Sequence, residues 1–133
     1  MNQYFYRSFT KVLGIVVLAT LGFTGPAQAQ SWPDKPIKLV IPFAAGGTTD
    51  IIGRILAQQM APILGQNVVV ENRGGAGGNI GAEAVARAPA DGYTLLLASG
   101  SMLTVNPYMY KKMSINYAKD FTPISTLVSG PMI

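Results

Sequence analysis

The chain contains no cysteine and no histidine. The first absence excludes disulfides, thiolate nucleophiles and cysteine-built metal or iron–sulfur sites. The second removes the side chain most often used as a general base near neutral pH and the commonest transition-metal ligand. Charge is also scarce: 12% of residues are Asp, Glu, Lys or Arg, against about 25% in ordinary globular chains. The formal net charge is +4, but the basic residues are scattered and form no stripe, so nucleic acid is not an expected partner. No apolar run reaches the ~18 to 20 residues that a bilayer-spanning helix requires. With 133 residues, the chain offers one domain's worth of sequence, held by apolar packing without covalent help.

The apolar run Val12 to Phe23 has a specific context. Arg7 and Lys11 precede it, and Ala27-Gln28-Ala29 follows. A basic start, a short apolar stretch and a small-x-small site make the layout of a cleavable secretory signal. Residues 1–29 are therefore read as a signal peptide with cleavage after Ala29. Its removal takes Arg7 and Lys11 with it and leaves eight basic against six acidic residues.

The rest alternates between two periods. Ser31 to Pro36 is an extended lead-in, since Pro33 and Pro36 resist helix. Ile37 to Ile41 follows as a strand. Its contiguous Leu39, Val40 and Ile41 suit a strand covered on both faces, as in parallel sheets. A loop, Pro42 to Thr49, leads to a helix expected from Asp50 to Leu64. There Ile51, Ile52, Ile55, Leu56, Met60, Ile63 and Leu64 recur at helical spacing, and Gly65 supplies a stop. A second strand, Val68 to Val70, closes on Glu71. The next stretch, Asn72 to Gly81, holds five glycines in ten residues and opens a short helix over 80–88. Pro89 to Gly92 is a turn, and Tyr93 to Ala98 a third strand. Ser99-Gly100-Ser101 leads to a short helix around Met102 to Tyr110. Lys111 to Lys119 reads as irregular, and Ile124 to Val128 as a further strand.

Strands alternating with helices predict βαβ units, right-handed crossovers and an α/β fold with a parallel sheet. In such a sheet the loops 42–50, 72–80 and 99–102 all leave the carboxyl ends of their strands. That is the edge where open α/β sheets bind ligands.

The chemistry open to these loops is narrow. The second does not fit G-x-G-x-x-G: counted from Gly75, Gly77 is in place but Ile80 holds the last position. No Gly-Lys pair occurs, so the phosphate-loop pattern is absent as well. Ser99 and Ser101 have no activating base in view, and Gly100-Ser101-Met102 is not a nucleophile elbow. Asp50, Glu71, Glu83 and Asp91 form no close pair by spacing, and Glu83 with Arg87 reads as a solvated i,i+4 pair. No enzyme activity, metal or cofactor is expected. What remains is recognition by main-chain N–H groups and small hydroxyls. Gly46, Gly47, Thr48 and Thr49 offer donors at the first helix start, where the helix dipole adds positive potential. Gly77, Gly78 and Asn79 can do so at the second, and Ser99 and Ser101 add hydroxyls. This set suits a carboxylate or another small anion. The competing reading is that the glycines serve loop packing, that Thr48, Thr49 or Asp50 caps its helix, and that Arg73 faces solvent. Phe43 fits either a ligand wall or the core. Met102, Tyr108, Met109 and Tyr110 read as packing.

Pro33-Asp34-Lys35-Pro36-Ile37 followed by Pro42 to Asp50 resembles the opening of the Bug family, the extracytoplasmic solute receptors of tripartite tricarboxylate transporters. The resemblance continues through Val70 to Gly81, Ala88 to Leu95, Asn106-Pro107 and Asp120 to Ile124. It implies a lobe of a type II periplasmic binding protein, of the Venus-flytrap kind, with a periplasmic location. It further implies a small organic acid as ligand and the membrane components of a tripartite transporter as partners. The site it implies is Phe43, Ala44, Gly46, Gly47, Thr48, Thr49 and Asp50 in the first loop. Gly75, Ala76, Gly77, Gly78 and Asn79 belong to the second, and Ser99, Gly100 and Ser101 to the third. On this reading residues 30–123 form lobe one and 124–133 begin the crossing strand to a second lobe that the chain lacks, so the chain is expected to be truncated. A monomer is expected. The rival expectation, from a different class, is a ligand-free periplasmic interaction protein or a non-functional remnant.

Overall fold

The computed structural model describes residues 31–129; the expected signal peptide, its cleavage site and residues 130–133 lie outside them. Strand β1 (Ile37–Ile41) is the centre of the fold. Ile37, Leu39, Val40 and Ile41 are each at most 2% exposed, while Lys38 reaches solvent. Each fully buried Ile, Leu or Val contributes roughly 1.5–3 kcal/mol, so this five-residue strand carries a large share of the core. Helix α1 (Thr48–Leu64) follows, then β2 (Val68–Asn72). Next come a one-turn 3-10 segment (Ala76–Gly78), helix α2 (Asn79–Ala86) and β3 (Thr94–Leu96). Three short helices end the described chain: α3 (Gly100–Thr104), α4 (Asn106–Met109) and α5 (Tyr117–Asp120).

The sheet is parallel in the order β2-β1-β3. Ile37 pairs with Val68 and Ile41 with Asn72 on one side, and Leu39 pairs with Leu95 on the other. Two backbone bonds carry the ladders into the loops: Arg73 N donates to Ile41 O at 2.9 Å, and Leu97 N to Val40 O at 3.0 Å. The α/β parallel-sheet class read from the sequence is the observed class.

The elements differ from expectation in instructive places. Helix α1 starts at Thr48, two residues early, and runs through Pro62 to a left-handed Gly65. Its apolar stripe is only half used. Asp50, Gly53 and Ala57 sit flush on the sheet, whereas Ile51, Ile55 and Ile63 are 54%, 56% and 82% exposed. Seven apolar positions wrap wider than three strands can cover. The Met102–Tyr110 helix is two short helices meeting at Val105. Met102 is buried in the cluster with Ala82 and Ile115, as expected of packing, but Tyr108 and Met109 are exposed. Ile124 to Val128 is not a strand: it joins no ladder, and Ile124 is 80% exposed. A strand needs a partner's backbone, and this run pairs with neither outer edge of the described three-stranded sheet.

The lead-in before β1 is clasped to the turn before β3. The Tyr93 hydroxyl donates to Asp34 Oδ1 at 2.6 Å and accepts from Asp34 N at 2.9 Å. Trp32 packs on the Tyr93 ring, and Lys35 Nζ lies 4.2 Å from its centroid while pairing with Asp91.

Gly81 marks the tightest approach of helix to loop. A Cβ there would lie 2.7 Å from Arg73 O and 2.8–2.9 Å from Pro42. Backbone and a proline ring cannot swing aside. Gly81→Ala is expected to lose about 1–3 kcal/mol by overpacking. Gly100→Ala, where nothing lies within 4 Å, should stay within about 0.5 kcal/mol of wild type. Urea unfolding of the two variants compares them directly.

Candidate functional site

All three loops singled out in the sequence leave the carboxyl edge of the sheet, and contacts link them in series. Gly74 of the second loop lies against the backbone of Phe43 and Ala44 in the first. Gly77 and Gly78 of the second lie against Asn106 and Met102 of the segment after β3. The loops differ sharply in how many of their backbone donors are committed.

In the first loop, Ala44, Gly46, Gly47 and Thr48 are exposed and Phe43 and Thr49 half-buried. Gly46 has φ +84, a region open to glycine at little cost. Gly47 is the N-cap of α1, and no side chain caps this helix start. Neither Thr48, Thr49 nor Asp50 does what a cap does. The N–H groups of the first turn have no acceptor within the helix, so Thr48 and Thr49 present donors at the positive end of a 17-residue helix. Phe43 packs toward the Ala82, Met102 and Ile115 cluster, which gives its ring a place in the core.

Asp50 is 3% exposed and fully engaged. Its Oδ2 accepts from Gly46 N at 2.8 Å and from Arg54 Nε at 3.0 Å, and its Oδ1 accepts from Asn72 Nδ2 at 2.9 Å. The Arg54 hydrogen bond, then the Gly46 and Asn72 bonds, bring its pKa down to about 2 despite burial. Asp50 thus holds the loop that precedes it, and Arg54 balances its charge. Asn72, which the sequence reading passed over, is the other half of this arrangement. Its Nδ2 also donates to Phe43 O at 3.1 Å, and its Oδ1 accepts from Arg54 Nη2 at 3.0 Å.

The second loop spends its last donors on closing its own turn. Gly78 N donates to Gly75 O at 2.9 Å, and Asn79 N to Ala76 O. Gly75, Ala76, Gly77 and Gly78 all have positive φ. Their lack of bulk is used locally: a Cβ on Gly75 would meet Ile80 at 2.5 Å, and one on Gly78 would meet Met102 at 2.8 Å. Asn79 serves by its side chain. Its Oδ1 accepts from Asn106 Nδ2 at 2.8 Å and from the Tyr117 hydroxyl at 3.0 Å, and Asn106 Nδ2 also reaches Gly77 O at 3.0 Å. Asn106 is 6% exposed; the sequence marked the Asn106-Pro107 pair within the resemblance but gave its side chain no role in the site. Arg73 is tied to Glu71, which also meets Lys38 at 2.9 Å. Those two cations, Lys38 first, hold the Glu71 carboxyl below its ordinary range.

In the third loop Ser99 and Ser101 face one another, Oγ to Oγ at 2.9 Å, and Gly100 O accepts from Thr104 Oγ1. The pair lacks a base. No group of three or more His, Cys, Asp or Glu capable of holding a metal occurs among the described residues. An open groove of about 470 Å³ runs along the α1–β2 flank, lined by Arg54, Gln58, Asn67 and Val69 among others. It includes none of the loop residues, and its one cationic head is already shared between Asp50 and Asn72.

The lowered pKa of Asp50 sets a direction for acid stability. The folded value, about 2, lies below the ordinary 3.8. The carboxylate's contribution is therefore complete above about pH 4 and is lost as pH falls through about 2. Asp50→Asn should lower the urea midpoint at pH 7 and flatten its decline between pH 4 and 2. Glu71 and Asp91, also lowered, keep that decline from vanishing. An unchanged acid limb in the variant would contradict the assignment.

Comparison with known proteins identifies the family. The profile of the Tripartite tricarboxylate transporter family receptor matches residues 52–133. Protein BugT of Bordetella pertussis is 40% identical over 129 residues, covering 95% of this chain and 40% of its own length. Among solved structures, R. palustris Rpa4515 with adipate superposes with a TM-score of 0.64 at 40% identity, over 66% of this chain and 29% of that one. MatC from Rhodopseudomonas palustris with bound malate gives 0.60 at 36% identity, over 69% and 31%. The chain thus spans two fifths or less of the relatives it matches. Its three parallel strands and their helices have the α/β architecture of these solute-binding proteins. The chain belongs to the tripartite tricarboxylate transporter receptor family, whose members are solute-binding receptors and include the Bug proteins.

Proposed function

We propose that this chain contributes the carboxylate-binding edge of an extracytoplasmic receptor that delivers a small organic acid to a tripartite tricarboxylate transporter. The observation that carries the reading is the uncapped start of α1, where Gly47, Thr48 and Thr49 present N–H groups at the carboxyl end of the central strand. A carboxylate there would accept charge-assisted hydrogen bonds in the field of the helix dipole. Ala44 and Gly46 would shape the approach, with Phe43 behind them, and Asp50 would hold the loop without touching the anion. Ser99 and Ser101, with Gly100 between them, would add neutral hydroxyl contacts. Gly75, Ala76, Gly77, Gly78 and Asn79 would form the adjoining wall through their shape, since the N–H groups of Gly78 and Asn79 are committed internally.

The relatives seen with adipate and with malate support a dicarboxylate as the ligand class. The role is transport, without catalysis. Residues 1–29 would direct export to the periplasm and be removed after Ala29. No described helix is long and apolar enough to cross a membrane.

Thr48→Pro tests the donor directly. Thr48 is the first helical residue, where proline is well tolerated. The preceding Gly47 is extended, at φ −76 and ψ 167, as a residue before proline prefers. The variant therefore deletes one N–H and leaves the helix intact. A hydrogen bond to a charged group contributes about 1.5–3 kcal/mol, or roughly 10- to 100-fold in affinity. Calorimetric titration with adipate and malate should show that loss in Thr48→Pro, with little change in Thr48→Ser. Equal affinity in the two variants would remove the first loop from the site. No heat from wild type with any di- or tricarboxylate would favour the ligand-free reading.

A further inference from the structure

We infer that Asn72 is the positioning residue of this edge: one amide, anchored at the end of β2, sets the conformation of residues 43–47 and so aims the N–H groups that open α1. The inference rests on the proposed binding role of that loop and deepens it.

The geometry is specific. Asn72 is the last residue of β2 and pairs in register with Ile41, the last residue of β1. Its backbone is therefore fixed by the ladder. Its side chain uses both N–H donors and one acceptor direction on the neighbouring loop and helix. One bond goes to Phe43 O, the first loop carbonyl after Pro42, and another to Asp50 Oδ1, while Oδ1 of the amide accepts from Arg54. Asp50 in turn accepts Gly46 N–H. Phe43 and Gly46 are thus tied, directly and through Asp50, to a point that the sheet holds still. Between those ties lie only Ala44 and Ala45, both exposed.

The amide also suits the charge of the place. Asp50 and Arg54 face it from α1. Glu71 on its own strand and Arg73 just past the strand end flank it and pair with each other, and Lys38 of β1 meets Glu71. A neutral group that both donates and accepts can bridge Phe43 O, Asp50 and Arg54 at once. A carboxylate of the same shape would offer no donor to Phe43 O and would place a second anion against Asp50. A protonated carboxyl would restore one donor.

The test is hydrogen exchange on the full chain without ligand, so that its result is independent of what the protein binds. Protection factors are compared for wild type, Asn72→Leu and Asn72→Asp. In Asn72→Leu the amide of Gly46, which donates to Asp50, should lose protection by about tenfold or more, while α2 stays as in wild type. In Asn72→Asp the same amide should be unprotected at pH 7 and regain protection toward pH 4, whereas the wild-type profile stays flat over that range. Unchanged protection of Gly46 in Asn72→Leu overturns the inference. So does a uniform loss across α1, α2 and the loop, which marks a residue serving overall stability alone. Should Asn72→Leu fail to fold, the pH reversal within Asn72→Asp decides in either direction. Titration with adipate separates this from the functional reading. A wild type that binds no adipate sinks the proposed ligand and leaves the protection result standing. A wild type that binds, beside an Asn72→Leu whose Gly46 amide is unprotected but which binds equally well, denies that Asn72 aims the donors.

Discussion

The burial of β1 constrains everything else in this fold. A five-residue strand with almost no exposed apolar surface must be covered on both faces and paired on both edges. In the parallel order β2-β1-β3, pairing on both edges forces the three following loops to one end of the sheet. The bonds from Arg73 N to Ile41 O and from Leu97 N to Val40 O then extend the fixed region past the formal strand ends. The loops begin from points that packing has already immobilised, so few further bonds are needed to settle them. That matters for the proposed recognition by backbone N–H groups, because a main-chain donor can be aimed only by fixing the chain itself.

Against that frame the three loops divide the work. The first keeps its donors available by having its one carboxylate satisfied from behind: Gly46, Arg54 and Asn72 all point into Asp50. An ionised Asp50 without Arg54 would oppose any anion arriving at the start of α1. With Arg54 bound, the local charge is near balance and the helix dipole is unopposed. The second loop inverts the arrangement. Its glycines allow close contact with Ile80, Met102 and Asn106, and its N–H groups close its own turn. It is a seat on which the 100–117 segment rests. The third supplies hydroxyls, which can donate or accept and so place no demand on ligand charge.

Much of this was legible in the amino-acid sequence, for reasons that explain the rest. Leu39, Val40 and Ile41 in a row announce a strand covered on both faces, and the Gly-Gly pair before a helical stripe announces a turn onto a helix start. Both are local signals. The roles of Asn72 and Asn106 were not legible, because their partners lie 29 residues away at Phe43 and Gly77 and only the parallel register brings them near. Asp50 offered two local readings, cap or ligand contact; it does not cap, and its carboxylate reaches back to Gly46 and across to β2. The apolar stripe of α1 misled in a different way. Periodicity reports which face of a helix is apolar but not how wide a surface awaits it, so Ile51, Ile55 and Ile63 stand exposed. Ile124 to Val128 has strand composition but joins no ladder among the described residues, which no reading of composition alone can detect.

Asparagine at both seams between loops suits the chemistry of the proposed anion site. Each seam needs a group that donates to one loop and accepts from another element, close to where a negative ligand would arrive. A lysine or arginine at position 106 would add charge to a nearly buried position without an anion to meet it, since Asn79 and Tyr117 are neutral. A carboxylate at position 72 would compete with the ligand for the same field. An amide joins β2 to α1 and α2 to α4 with no net charge. The positive potential at the edge then comes from the helix start alone, which lies where the chain turns and cannot be drawn away by a side-chain rotamer. Under the proposed function the neutral bridges and the exposed backbone donors are parts of one solution: side chains fix the loop, and the main chain is left to do the recognising.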